Sequence, residues 1–308
     1  MKKKQRITVV GAGNVGSTTA QGILNKQLGD VILLDVMEGV ARGKALDLMQ
    51  TAPISGLNYN ILGTSNYADT QNSNIVVITA GIARKPGMSR EDLVSTNAKV
   101  VREVVHQAVR QSPEAYFIVV TNPLDVMCYI ALQESGVAPN RIFGQSGVLD
   151  SARFRFFIAE ELDIAPVDVT AMVLGGHGDE MVPLVHYSYV GGIPIVNFLS
   201  SDKINEIVGR TRKGGAEIVS LLQTGSAFYA PAAAAVKMVE AIVLDKKSIL
   251  PTSVYLQGEY GIRDLYFGVP AVIGSLGVER IIELNLTSEE YEFMKKSENL
   301  IRLALKAI

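Results

Sequence analysis

One cysteine, Cys128, is all the chain contains, so no intrachain disulfide can form, and a reducing compartment is the natural setting. Net charge is also small: a formal −2 and a pI near 6.0 argue against nucleic acid as the main partner. No window approaches the roughly 20 apolar residues of a membrane span. One long apolar stretch, Phe228 to Leu244, is broken by Lys237 and Glu240. The start is basic, but the apolar run behind it, Ile7 to Val10, stops at Gly11, leaving no signal-peptide core. There are no internal repeats or low-complexity segments. What remains is a chain of 308 residues, 48% apolar and 19% charged, a globular composition with enough length for two ordinary domains. The expectation is a soluble, cytoplasmic protein without nucleic-acid, membrane or metal partners.

Ile7 to Val10 reads as a strand that runs directly into Gly11-Ala12-Gly13-Asn14-Val15-Gly16, and a helical stretch follows from Ser17 to Lys26. This is G-x-G-x-x-G between a strand and a helix. Gly11 permits the tight turn, Gly13 lets backbone approach a pyrophosphate, and Gly16 lets helix pack on strand. The helix N-terminus offers free N–H groups to phosphates. A second strand, Val31 to Leu34, ends in Asp35, whose carboxylate can accept from ribose hydroxyls and would repel a 2′-phosphate. The expected cofactor is therefore NAD.

The alternation continues with a helix over Gly39 to Met49 and strands over Asn60 to Gly63 and Asn74 to Thr79. The segment Ala80 to Arg90 holds two glycines and Pro86, so it reads as a loop. Ser89, Glu91 and Asp92 mark the start of a helix reaching about Arg110. Arg84 and Arg90 thus sit on a loop at the carboxyl end of a strand, where open α/β sheets bind ligands; solvated surface arginines are the plainer reading. After the strand Phe117 to Val120 comes Asn122-Pro123. Asn122 can donate to a substrate oxygen or simply make a turn before the next helix, Val126 to Leu132. Cys128 within that helix reads as a core residue.

The β-α alternation gives way near Gly144 to Gly147, which suggests domains over 1–145 and 146–308. A helix over Leu149 to Leu162 puts Asp150 and Arg153 three residues apart on one face. They form either a plain ion pair or an orienter for an imidazole beside an arginine fork for a carboxylate. A strand over Val167 to Leu174 then delivers Gly175-Gly176-His177-Gly178-Asp179, and β structure is expected to resume over Val182 to Tyr189. Of three histidines, His177 alone is held between glycines, which suits a proton-transfer group open to a ligand; a structural turn histidine fits the stretch as well. His106, mid-helix, and His186, within β structure, read as structural. Helices over Ser201 to Leu222 and Ala227 to Leu244 follow, the second alanine-rich and able to pack closely on a helix or subunit. Strands over Ile249 to Gln257 and Leu265 to Ile273 precede a closing helix from about Ser288.

Taken together, the glycine loop, Arg84 to Arg90, Asn122-Pro123, Asp150 to Arg153 and Gly175 to Asp179 resemble the NAD-dependent malate dehydrogenases of the bacterial, lactate-dehydrogenase-like type, over essentially the whole chain. The resemblance implies a Rossmann-type doubly wound parallel sheet followed by an α+β substrate domain. It also implies reversible oxidation of (S)-malate to oxaloacetate, a reaction of the tricarboxylic acid cycle, by a homodimer or homotetramer. In that family's pattern His177 is the general base, Asp150 orients it, and Arg153 binds the C1 carboxylate. Arg90 polarises the C2 oxygen, Asn122 bonds nearby, and Arg84 holds the distal carboxylate where lactate dehydrogenases carry glutamine. Ser226 would line the pocket wall. Asn14, Val15, Thr79, Ala80, Gly81, Asn97, Val120 and Asn122 would join the glycine loop and Asp35 in holding the cofactor. The same pattern admits a cis Asn122–Pro123 bond. A lactate or other 2-hydroxy-acid dehydrogenase would lack the second carboxylate grip, and a non-catalytic NAD-binding regulator would need neither Asp150 nor His177.

Overall fold

The computed structural model describes residues 4–82, 89–178, 180–306 and 308, and for Arg90 the backbone alone. Six short strands rich in β-branched residues pair in parallel: β1 (Arg6–Val10), β2 (Asp30–Leu34), β3 (Ile61–Thr64), β4 (Ile75–Ile78), β5 (Tyr116–Val119) and β6 (Ile142–Gly144). β1, β2, β4 and β6 are almost wholly buried, as continuous apolar runs covered by helices on both faces must be. Three antiparallel strands from the second half, β7 (Ser248–Gln257), β8 (Arg263–Gly274) and β9 (Gly277–Ile281), extend the same sheet. The spatial order is β9-β8-β7-β6-β5-β4-β1-β2-β3. The two halves of the chain therefore share one nine-stranded sheet, joined through the single pairing of Ser253 with Gly144. Strand order reverses between β1 and β4, and the crevice outside their carboxyl ends is where such sheets bind ligands.

Among the described residues there are eight α-helices: α1 (Asn14–Asn25), α2 (Glu38–Ser55), α3 (Arg90–Gln111), α4 (Leu124–Ser135), α5 (Gly147–Leu162), α6 (Ser201–Leu222), α7 (Tyr229–Val243) and α8 (Ser288–Leu305). The start expected at Ser89 is a capping box: Ser89 Oγ accepts from Asp92 N at 3.0 Å, and Asp92 Oδ2 accepts from Ser89 N at 3.2 Å. Thr287 and Glu290 form the same device at the head of α8. The alanine face of α7 is buried against α1 of the same chain; a Cβ on Gly22 would lie 2.7 Å from Val236 Cγ2, so this crossing requires glycine.

Three expected elements differ. α2 runs past Met49 to Ser55 with Pro53 inside its last turn, where the missing N–H leaves one carbonyl of the preceding turn without its helical donor. The strands expected over Val167 to Leu174 and Val182 to Tyr189 are broken into two-residue bridges and 3₁₀ turns, the turns at Pro166–Asp168 and Val185–Tyr187. Pro183 removes a ladder donor there, and Pro166 opens the 3₁₀ turn that precedes the first bridge. A second apolar cluster, including Phe154, Ile158, Val173 and Ile207, seats α5 and α6 against this irregular region. Among the described residues no helix is long and apolar enough to cross a membrane.

Candidate active site

The three glycines of the first loop meet three different environments. At Gly11 φ is +103°, and a Cβ would sit 2.8 Å from Ala80 N and from Thr79 Oγ1. At Gly16 it would fall 1.8 Å from Gly11 O, so the helix can begin here only without a side chain. Gly13 faces open space, with nothing within 4 Å. It is also the N-cap of α1 and carries no side-chain cap, which leaves first-turn N–H groups of Asn14 and Val15 for a ligand. Asn14 is exposed and Val15 half-buried. This is a cradle for phosphate: two positions pressed by backbone, and one kept clear for an anion at a helix N-terminus.

Asp35 follows β2. Its Oδ2 accepts from Ala12 N at 2.6 Å and its Oδ1 from Met37 N at 2.9 Å, leaving lone pairs on both oxygens for two hydroxyls. Thr79 Oγ1 donates to Val10 O at 3.0 Å and to Gly11 O at 3.1 Å, holding the loop from β4. Ala80 and Gly81 continue from it, Gly81 with φ +153°. The fully buried Asn97 spends its amide internally: Oδ1 accepts from Ile82 N at 2.8 Å, and Nδ2 donates to Ile82 O at 3.1 Å and Asn122 O at 2.7 Å. It shapes the crevice wall by tying the root of the 83–88 segment to the Asn122 turn. Val120, half-buried, follows β5, and the exposed Asn122 comes next but one with a cis bond to Pro123.

At the same sheet edge, the irregular backbone after Leu174 brings His177 onto α5. His177 Nδ1 lies 2.8 Å from Asp150 Oδ2, and Arg153 Nη1 lies 3.3 Å from Asp150 Oδ1. Asp150 is 1% exposed, whereas the His177 side chain keeps 17% of its surface open. Burial pulls the imidazole pKa down, but the charge and hydrogen bond of Asp150, with help from Asp125, outweigh burial and Arg153; the net displacement is upward. The ring thus has one nitrogen anchored to a carboxylate that favours its protonated form. Room for Arg153 comes from Gly214 and Gly215 of α6: a Cβ on Gly214 would reach Arg153 Cδ at 3.1 Å. Beside His177 a cavity of about 460 Å³ is lined by Asn122, Asp125, Gly176, Glu180, Ser297 and Ile301, among others.

The expected residues Gly11, Gly13, Gly16, Asp35, Thr79, Asn97, Asn122, Asp150, Arg153 and His177 therefore gather along the carboxyl edge of the sheet. Ser226 stands exposed on the connection from α6 to α7, apart from that hydrogen-bonded cluster. Arg84 and the side chain of Arg90 lie outside the described residues. His106 pairs with Glu134 across α3 and α4, and His186 with Glu290 of α8, so both link surface elements. Cys128 is fully buried, and burial, with the charge of Asp125 behind it, pushes its thiol well up, which suits packing rather than reactivity.

Three contributors were not legible in the sequence. Lys44 on α2 donates to Ala12 O at 2.7 Å, bracing the glycine loop from 32 residues away. Asp125 accepts from the His177 main-chain N–H at 3.2 Å, and Ser297 of α8 accepts from Gly176 N at 2.8 Å. An acid inside the apolar stretch Leu124 to Ile130 was the one available signal.

Two family models match the chain: the NAD binding domain of lactate/malate dehydrogenase over residues 5–144, and the alpha/beta C-terminal domain of the same family over residues 147–308. Proteins named malate dehydrogenase from Desulforudis audaxviator and Shouchella clausii are 56% and 55% identical, covering 99% of this chain and 99% and 98% of their own lengths. Among solved structures, malate dehydrogenase from Cryptosporidium parvum superposes with a TM-score of 0.96 at 46% identity, covering 99% of this chain and 98% of that one. Lactate dehydrogenase from the same organism, complexed with lactic acid and nicotinamide adenine dinucleotide, gives a TM-score of 0.96 at 40% identity, covering 99% and 98%.

Proposed function

Because the chain belongs to the lactate/malate dehydrogenase family, we propose that it interconverts (S)-malate and oxaloacetate with NAD, as a cytoplasmic homodimer or homotetramer. The observation that carries the reading is the 2.8 Å contact of His177 with the buried Asp150, set at the sheet edge beside the glycine cradle. Residues 1–145 supply the cofactor cradle and residues 146–308 the proton-transfer pair. Exposed apolar side chains such as Ile54 on α2 and Phe156 on α5 offer surface for self-association.

When bound, NAD supplies the hydride acceptor for C2 of malate and, reduced, the donor for oxaloacetate. Gly13 and the open N-terminus of α1 would hold its pyrophosphate, and Asp35 its ribose hydroxyls. His177, neutral, takes the proton of the malate hydroxyl at Nε2, because Nδ1 is committed to Asp150. Asp150 fixes that tautomer and stabilises the imidazolium that forms. Arg153, braced in the space left by Gly214 and Gly215, receives the C1 carboxylate as a fork. Asn122 would donate toward the C2 oxygen, Arg90 would polarise it, and Arg84 would pair with the C4 carboxylate.

Overall shape does not separate malate from lactate chemistry, since solved structures of both kinds match at a TM-score of 0.96. Arg84 does: a methyl group opposite a guanidinium leaves a buried charge unpaired. A regulator that only binds NAD would have no use for the Asp150–His177 pair. The test is oxidation of NADH by the purified chain with oxaloacetate, then with pyruvate. Oxaloacetate should be strongly preferred; equal use of pyruvate would move the assignment to a broader 2-hydroxy-acid dehydrogenase, and no turnover with either would remove it.

A further inference from the structure

His177 is gripped by two buried carboxylates, and only Asp150 reaches its ring. The other, Asp125, stands in the first turn of α4 at 5% exposure. Its Oδ2 accepts the main-chain N–H of His177 at 3.2 Å, and its Oδ1 accepts from Ser253 Oγ of β7 at 2.6 Å. The neighbouring N–H, of Gly176, is taken by Ser297 Oγ of α8 at 2.8 Å. Gly176 fits tightly between them, since a Cβ there would lie 2.9 Å from Ile301 Cδ1 and 3.3 Å from Asp125 Oδ2. Consecutive N–H groups of the loop are therefore pinned by side chains of two helices, with β7 behind one of them.

Holding a backbone N–H does not require a charge. An asparagine of the same shape could accept from His177 N through its oxygen and donate to Ser253 Oγ through its nitrogen, with no buried anion. A carboxylate at this place costs free energy that an amide would not, so its charge needs a use. We propose that Asp125 is a positioning residue for proton transfer, seating the His177 main chain and lending its negative charge to the imidazolium that Asp150 holds at the ring.

The surroundings support that use. Burial pushes the Asp125 carboxyl up to about 6, against the opposing hydrogen bonds of Ser253 and the His177 N–H and the charge of His177. The groups facing the pair are Asp150 and Arg153 from α5, Cys128 from α4, Ser253 from β7, Glu180 from the loop and Ser297 from α8. The cationic group whose charge reaches Asp125 among the described residues is His177 itself.

This inference rests on His177 carrying the proton, and its test separates the two. Specificity constants are measured against pH for oxaloacetate with saturating NADH and for malate with saturating NAD. The full chain, Asp125→Asn and Ser253→Ala are compared, with NADH affinity taken by fluorescence titration. Without the Asp125 anion the imidazolium loses support, so His177 releases its proton at lower pH. For Asp125→Asn the alkaline limb of reduction and the acid limb of oxidation should both move down by about one pH unit. Reduction near pH 8 should fall roughly tenfold, while NADH affinity stays within about twofold. With cofactor affinity unchanged, the overall equilibrium fixes the ratio of the two directions at each pH, so displacement of both limbs is the signature. Ser253→Ala, which keeps more Asp125 protonated, should move the limbs the same way by less. A merely structural role would lower the profiles without displacing them. Limbs that stay in place, or move to higher pH, overturn the proposal; if Asp125→Asn does not fold, Ser253→Ala decides alone. A full chain that cannot reduce oxaloacetate would instead overturn the parent reading.

Discussion

Replacing Asp150 by asparagine is the perturbation whose size the geometry lets one work out. The carboxylate is 1% exposed, contacts His177 Nδ1 at 2.8 Å, and touches Arg153 at 3.3 Å. Asparagine keeps the shape and removes the charge. Two unit charges about 4 Å apart at the effective dielectric of such sites interact by about 4 kcal/mol, close to three decades. Some of this returns through relaxation, and the amide can still hydrogen-bond, so a fall of two to three decades in the specificity constant for oxaloacetate is expected at neutral pH. The loss should shrink toward low pH, where the imidazole is protonated without help. NADH affinity should change little, because the cradle lies at Gly11 to Gly16 and Asp35. The assay is steady-state loss of nicotinamide absorbance across pH, with NADH binding measured separately. A loss below tenfold, or one independent of pH, would mean that Asp150 is a packing partner rather than the support of a charged His177.

Two further outcomes concern selectivity. NADPH should support the reaction far less well than NADH, since its 2′-phosphate would meet Asp35, whose oxygens are fixed by Ala12 N and Met37 N; equal rates at low cofactor concentration would remove Asp35 from the ribose. Arg84→Gln should lower the specificity constant for oxaloacetate and raise that for pyruvate, because an unpaired buried charge costs on the order of 3–5 kcal/mol, or two to four decades. A change in the ratio below about threefold would take Arg84 away from the distal carboxylate.

Much of the site could be read in the sequence because its chemistry is local there. Gly11, Gly13 and Gly16 sit between a strand and a helix, and Asp35 ends the next strand, so pattern and context agree within 30 residues. Asp150 and Arg153 share a helical turn. His177 was marked by its glycines, although its partner lies 27 residues back and the link to Asp150 came from family resemblance. Asp125 and Ser253 are 128 residues apart and meet only because β7 joins the sheet beside β6. Lys44 reaches Ala12 only once α2 folds back over the first turn. The segments on either side of His177, Val167 to Leu174 and Val182 to Tyr189, read as continuous strands because their apolar runs outweigh the breaks that show only as Pro166 and Pro183. The sharing of one sheet by both halves was equally hidden, since the strands after Ile249 resemble those of a separate domain.

The claim on which all else depends is that His177 carries the proton, and His177→Asn tests it most directly. NADH should bind the variant with affinity within about twofold of the parent, while turnover of oxaloacetate falls by roughly 10²–10⁴-fold, the loss of general acid–base catalysis. Near-normal turnover would make His177 a structural turn residue and contradict the mechanism.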